Sequence, residues 1–332
     1  MIFALTALGF SLDLKEEREC SICHGLFQDL ESLGSSIREA LSDYDFSTFL
    51  VGSENRVQNP LEEELEAKFG TGEGIKKEFN RELGKLLSGR MQKEVVFKDP
   101  DVIITVNLEY LSYRFWFKSL FIHGRYRKLV RGIPQTRWIN FDKHDSVEEI
   151  VGIPAQSMVR AGNFYLHAAG REDVDVLMLG SGREFVLELS SPHSRTIDLL
   201  SLAERVRESR AVEIADLEIV KGDLVEKVKN SRHDKSYRAL IVSEGIIDPV
   251  TFRKAVSALS GKIIYQRTPL RVSGRRADLI RERMVRKADI ISIDGNRAVV
   301  EMTAEAGTYI KELVNGDGDR TNPNLSSLYG SS

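Results

Sequence analysis

Cysteine is scarce: the chain of 332 residues has two, Cys20 and Cys23. Two thiols cannot frame a chain this long, so a disulfide-stapled secreted scaffold is excluded and a reducing cytoplasm is expected. They form a single C-x-x-C before His24, half of a tetrahedral zinc set. No second cysteine pair exists to complete it, and two core thiols are the plainer reading. Basic residues are missing ahead of the apolar start, Met1 to Leu12, which runs straight into Asp13-Leu14-Lys15-Glu16-Glu17. A secretory signal needs a basic start and a small-residue cleavage site. No run reaches the roughly 20 apolar residues of a spanning helix, so no membrane is expected. An overall excess of positive charge is absent too, since 47 Lys and Arg face 50 Asp and Glu. Any case for a nucleic-acid partner must therefore rest on where the charge sits. Repeats, heptads and low-complexity tracts are lacking. What remains is an ordinary globular composition, 42% hydrophobic and 29% charged, with length for two domains.

Residues 1–35 form a small leading module. Residues 36–130 read as an α/β module. A strand is expected over 48–52, an acidic amphipathic helix from Pro60, and a second helix over 75–87. In that helix Ile75, Phe79, Leu83, Leu86 and Leu87 fall at helical spacing. A short strand at 95–97 and a turn at Asp99-Pro100-Asp101 follow. Residues 102–108 are apolar enough for a strand covered on both faces. Gly132-Ile133-Pro134-Gln135 reads as a linker. Residues 131–332 then alternate strands (about 162–167, 174–178, 185–190, 211–220, 237–243, 262–266, 287–294 and 296–303) with helices (about 196–207, 221–231, 249–260 and 308–314). Strand runs with interspersed helices and glycine turns indicate an α+β fold with a largely antiparallel sheet.

Two stretches concentrate cations. Tyr113 to Trp138 holds Arg114, Lys118, Arg125, Arg127, Lys128, Arg131 and Arg137 among seven aromatic residues, without an acid. Alternation over 113–121 marks a strand, and Gly124-Arg125-Tyr126-Arg127-Lys128 reads as a basic loop after it. An edge strand with snorkelling cations is the ordinary explanation. Cations with no counter-charge repel one another unless an anion spans them, and a phosphate backbone would. Gln266 to Lys287 carries Arg267, Arg271, Arg275, Arg276, Arg281, Arg283, Arg286 and Lys287 against Asp278 and Glu282.

Three short motifs carry possible chemistry. Gly170-Arg171-Glu172-Asp173 lies between predicted strands, before a turn expected at Gly180-Ser181-Gly182. A solvated acidic turn accounts for it; so does a carboxylate nucleophile beside a guanidinium. Tyr237 opens the strand Ala239-Leu240-Ile241-Val242, where a core aromatic with a satisfied hydroxyl is the common case. Lys311, in Gly307-Thr308-Tyr309-Ile310-Lys311, opens a helix and taken alone reads as a surface charge.

Taken in order, these motifs resemble the three catalytic motifs of pseudouridine synthases. The similarity is closest to the tRNA pseudouridine synthase ten family in its archaeal form. It is carried by Ala169 to Val176, Gly124 to Leu129, Gln266 to Val272, Arg275 to Asp278, Ala306 to Glu312 and Gly316 to Thr321. The resemblance implies a pseudouridine synthase catalytic fold over 131–332 and a THUMP domain within 36–130 that grips the tRNA acceptor end. It implies isomerisation of uridine 54, uridine 55 or both in the T loop, with no cofactor, metal or obligatory protein partner. Under it Asp173 is the nucleophile, Arg171 displaces or replaces the flipped base, and Tyr237 stacks on the uracil and helps remove its C5 proton. Lys311 keeps Asp173 ionised, Tyr309 contacts substrate, and Ile310 packs under the base. Arg125, Arg127, Lys128, Arg267, Arg271, Arg275 and Arg276 are the expected RNA contacts. One departure stands out: where the family's leading module has a first C-x-x-C, this chain has Ala4-Leu5-Thr6-Ala7. An apolar core in place of zinc is the expectation.

Two other functions fit parts of the pattern. Glu172, Asp173, Asp175 and Glu188 could gather a magnesium ion in a nuclease. The basic stretches alone would serve a non-catalytic tRNA-binding protein or chaperone.

Overall fold

The computed structural model describes residues 23–54, 74–137, 146–274 and 276–330. Cys20, the segment that replaces the first cysteine pair, the helix expected from Pro60, Trp138 and Arg275 all lie outside the described residues. Cys23 is half-buried. The chain divides into two compact units, Met1–Val228 and Lys229–Ser332.

The first unit holds two sheets. One has strands β1 (Thr48–Glu54), β2 (Glu94–Val95), β3 (Val102–Asn107) and β4 (Tyr113–Phe117) in the order β2-β1-β3-β4. β1 runs parallel to β2 and β3, and β4 is antiparallel to β3. Helices α1 (Leu30–Ala40) and α2 (Ile75–Met91) pack on it. Ile75, Phe79, Leu83 and Leu87 of α2 are buried, as their spacing requires. Alternate residues of β3 are buried and half-buried, so one face of this strand is less covered than its apolar sequence implies.

The other sheet is wholly antiparallel, in the order β6-β7-β5-β8, from β5 (Leu120–Lys128), β6 (Asn163–Ala168), β7 (Met178–Ser190) and β8 (Val212–Val220). Helices α3 (Val147–Val159), α4 (Leu199–Arg207) and α5 (Leu224–Asn230) accompany it. Three sequence expectations fail here. Residues 124–128 are not a loop but the second half of β5, hydrogen-bonded to β7 and β8. Residues 174–178 are mostly loop, and Gly180 and Gly182 are not a turn but lie inside β7 at φ 62° and 77°. Helix α3 escaped the periodicity reading, although Ser146 and Glu149 form a capping box at its start.

The second unit is one antiparallel sheet, ordered β13-β10-β11-β12-β9. It comprises β9 (Lys235–Val242), β10 (Lys262–Arg267), β11 (Ile280–Asp294), β12 (Arg297–Ala304) and β13 (Thr321–Asn322). Helices α6 (Pro249–Leu259), α7 (Ile310–Asn315) and α8 (Leu325–Tyr329) complete it. Asp248 caps α6 by accepting from Thr251 N at 2.8 Å, with Pro249 at the first helical position. The whole is the mixed α+β, mostly antiparallel architecture that the strand and helix alternation indicated.

Candidate active site

Asp173 sits in the loop that joins β6 to β7. Gly170 enters it at φ 84°, a left-handed conformation that a side chain disfavours. Arg171 is then exposed, Glu172 buried and Asp173 half-buried. The loop is tied down along its main chain. Lys128 Nζ donates to the carbonyl oxygens of Asp173 (3.1 Å), Val174 (3.1 Å) and Ile133 (3.0 Å). Gly132 N donates to Val174 O at 2.9 Å, and Arg131 Nη1 to Asp175 O at 2.7 Å. Such bonds tie the loop's main chain to the end of β5 and the linker after it, and a carbonyl withdrawn from water is costly to leave unpaired.

Lys128 was expected on the RNA-facing surface; it is 0% exposed, and its ammonium is spent on those three carbonyls. The correction follows from strand parity. Leu120, Ile122, Gly124, Tyr126 and Lys128 all point to the buried face of β5. Arg127, on the other parity, is exposed and lies 2.8 Å from Glu213. Arg125 is half-buried and donates to Gly182 O at 3.1 Å. The idea of cations without counter-charge also fails. Arg114 pairs with Glu54 at 2.7 Å, Lys118 with Asp99 at 2.6 Å, and Arg137 approaches Glu148 at 3.8 Å. These acids come from outside the stretch.

In the second unit, Tyr237 is half-buried on the edge strand β9, opposite Met302 of β12. Gly307, at φ 84°, leads to Tyr309 at the start of α7. The buried Gln266 clasps the Tyr309 main chain from both sides: its Oε1 accepts from Tyr309 N at 2.9 Å and its Nε2 donates to Tyr309 O at 3.0 Å. Arg276 Nη1 donates to the Tyr309 hydroxyl at 3.0 Å. The Arg271 guanidinium lies 5.8 Å from the ring centre, and its Nε donates to Glu312 at 2.7 Å. Tyr309, Arg271 and Arg276 are thus brought together, a cluster that their distance along the chain gave no sign of. Ile310 packs on the apolar core and Lys311 is exposed. Arg267 pairs with Asp278 at 2.6 Å, so this cation too is partly neutralised by its own chain.

The carboxylates of the alternative magnesium site do not converge. Glu172 is engaged by Tyr126, and Glu188 accepts from Ser119 and pairs with His167. Among the described residues no three His, Cys, Asp or Glu side chains form a metal-ligand group.

Comparison with known proteins is consistent across most of the chain. A family profile described as "Pus10, C-terminal" matches residues 121–332, and one described as "Pus10 THUMP domain, archaeal" matches residues 34–107. The "tRNA pseudouridine synthase Pus10" of Thermoplasma acidophilum is 46% identical over 95% of this chain and 82% of its own length. The protein of that name from Picrophilus torridus is 43% identical over 100% and 86%, respectively. That from Archaeoglobus fulgidus is 40% identical over 94% and 91%. Among solved structures, a Cbf5-Nop10-Gar1 complex is similar over 57% of this chain and 42% of that chain, at 17% identity and a TM-score of 0.33.

Proposed function

Because the chain belongs to the Pus10 family of tRNA pseudouridine synthases, a family of isomerases, we propose that it converts uridine 54, uridine 55 or both in the tRNA T loop to pseudouridine, with Asp173 as the nucleophile. The reaction breaks the bond from ribose C1′ to uracil N1 and makes one from C1′ to C5. The C5 proton leaves and N1 gains one, so atoms and electrons balance without a redox partner. A carboxylate that forms a covalent intermediate divides this exchange into two easier steps. The target base is stacked inside folded RNA and must be everted, at a cost of a few kcal/mol.

The observation that supports this reading best is the conformation of the 170–175 loop. It leaves Arg171 exposed and Asp173 partly exposed, on a main chain held by Lys128, Arg131 and Gly132. A nucleophile held this way loses little entropy when substrate arrives. Arg171 beside it is suited to fill the gap left by the everted base. Tyr237 and Lys311 belong to the same reading as further catalytic residues, with Tyr309 and Ile310 as substrate contacts. The THUMP segment is proposed to grip the acceptor end of the tRNA.

The test is a T-loop tRNA transcript incubated with protein alone and mapped for pseudouridine. Asp173→Ala is expected to bind the transcript as the unaltered protein does and to form no pseudouridine. Normal turnover by that variant refutes the proposal.

A further inference from the structure

Behind the loop lies a buried polar group for which the reaction as proposed has no use. Tyr126 is 0% exposed, Gln135 and Arg183 are 6% and Glu172 is 9%. Removing a carboxylate and a guanidinium from water costs several kcal/mol unless their partners recover it. The partners here are specific. The Tyr126 hydroxyl donates to the Glu172 carboxylate, whose oxygens lie 2.8 and 2.9 Å away. Gln135 Nε2 donates to Tyr126 Oη at 2.8 Å and to Gly170 O at 3.0 Å. Arg183 Nε is ion-paired with Glu172 Oε2 at 3.0 Å, and Arg183 Nη1 donates to Ala169 O at 2.8 Å.

The same residues therefore grip two things: the Glu172 side chain, and the main chain at 169–170 that leads into Arg171. Burial, and the Glu172 charge next to it, push the Tyr126 phenol well above its ordinary value. It stays a donor throughout the working pH range. An apolar residue at 172 would fill this space at lower cost, since a buried ion pair rarely stabilises a fold more than packed hydrocarbon does. What an apolar residue would lack is direction. A carboxylate that accepts from the Tyr126 hydroxyl and from Gln135 Nε2 at 3.4 Å, with the Arg183 charge beside it, favours one rotation of the segment 171–173.

We propose that Glu172, with Tyr126, Gln135 and Arg183 around it, is a positioning residue for the reaction. It anchors the loop inward at 172 so that Arg171 and Asp173 on either side are presented outward. The inference rests on Asp173 being the nucleophile. Misplacing an attacking group by about 1 Å costs roughly 100-fold in rate, so loosening this anchor should act on the chemical step.

The experiment measures single-turnover pseudouridine formation and tRNA affinity for five variants of the full chain, well below their melting temperatures. Tyr126→Phe removes one hydroxyl and is expected to slow the reaction about tenfold. The paired change Glu172→Leu with Arg183→Met removes the buried ion pair as a unit, leaves the Lys128 ammonium to its three carbonyls, and should slow the reaction about 100-fold, with affinity within about threefold. Glu172→Gln with Arg183→Met keeps an oxygen for Tyr126 without stranding a guanidinium and should recover part of that loss. Ile122→Ala, on the same buried face of β5, loses packing but no bond to the loop, and should react at the normal rate. Asp173→Ala should be inert. The proposal is overturned if the paired variant folds, binds and reacts within about threefold of normal while Asp173→Ala is inert, or if Ile122→Ala slows the reaction equally. Turnover by Asp173→Ala would instead overturn the nucleophile assignment and this inference with it.

Discussion

Lys128 shows what a single side chain contributes here. Its sequence neighbours are Arg125, Arg127 and Arg131, and by composition it belongs to a basic surface. Its parity on β5 sends it the other way, into the core, where its ammonium closes on three carbonyls of the candidate nucleophile's loop and the preceding linker. If the ammonium were lost, Asp173 O and Val174 O would keep only the backbone donors Val176 N and Gly132 N, Ile133 O would lose its Lys128 bond, and a charge-assisted bond contributes more than a neutral one. Lys128→Met is thus expected to lower stability by about 2–4 kcal/mol in urea unfolding. A change below about 0.5 kcal/mol would mean that water or a shifted loop replaces the ammonium.

Among the elements, α3 and β6 make the tightest match. Gly152 of α3 faces Phe164 of β6 so closely that an added Cβ would stand 2.1–2.6 Å from its ring carbons. In an exposed helix, Gly→Ala stabilises by about 0.5–1 kcal/mol. Here overpacking, at about 1–3 kcal/mol, outweighs that gain. Gly152→Ala should therefore lower the melting temperature rather than raise it. A higher melting temperature would mean that the Phe164 ring can move aside. Close approach of this kind belongs to a pair of elements. The glycine is legible in the sequence; the ring that makes it necessary lies on another element.

In the molecule as a whole, the first unit carries a separate apolar core for each of its two sheets and the second unit carries its own. That of the second unit draws on Phe252, Val256, Leu259, Ile264, Val285, Val300, Met302 and Leu313, all C-terminal to the division at Val228. A cluster of that size around one sheet is what a domain of about 100 residues needs to fold. A fragment of residues 229–332 is expected to unfold in one cooperative thermal transition. A broad, non-cooperative melt would show that the second core depends on the first unit. The charge balance is likewise a property of the whole chain. Arg114, Lys118, Arg127 and Arg267 each find an acid that the local sequence does not supply or supplies across a loop.

By itself the sequence determined the family, most strands and helices, and the residue proposed as nucleophile. Those rest on motifs and on periods of 2 and 3.6, which involve only near neighbours along the chain. Only the tertiary structure decided that Gly124 to Lys128 is a strand, that Lys128 and Glu172 turn inward, and that Arg271 and Arg276 gather at Tyr309. Each of those depends on strand register and on contacts between residues far apart in the chain, as Tyr126 meets Glu172 and Arg183. Charge reads alike in a sequence whether it faces water or a buried partner, and only packing tells the two apart.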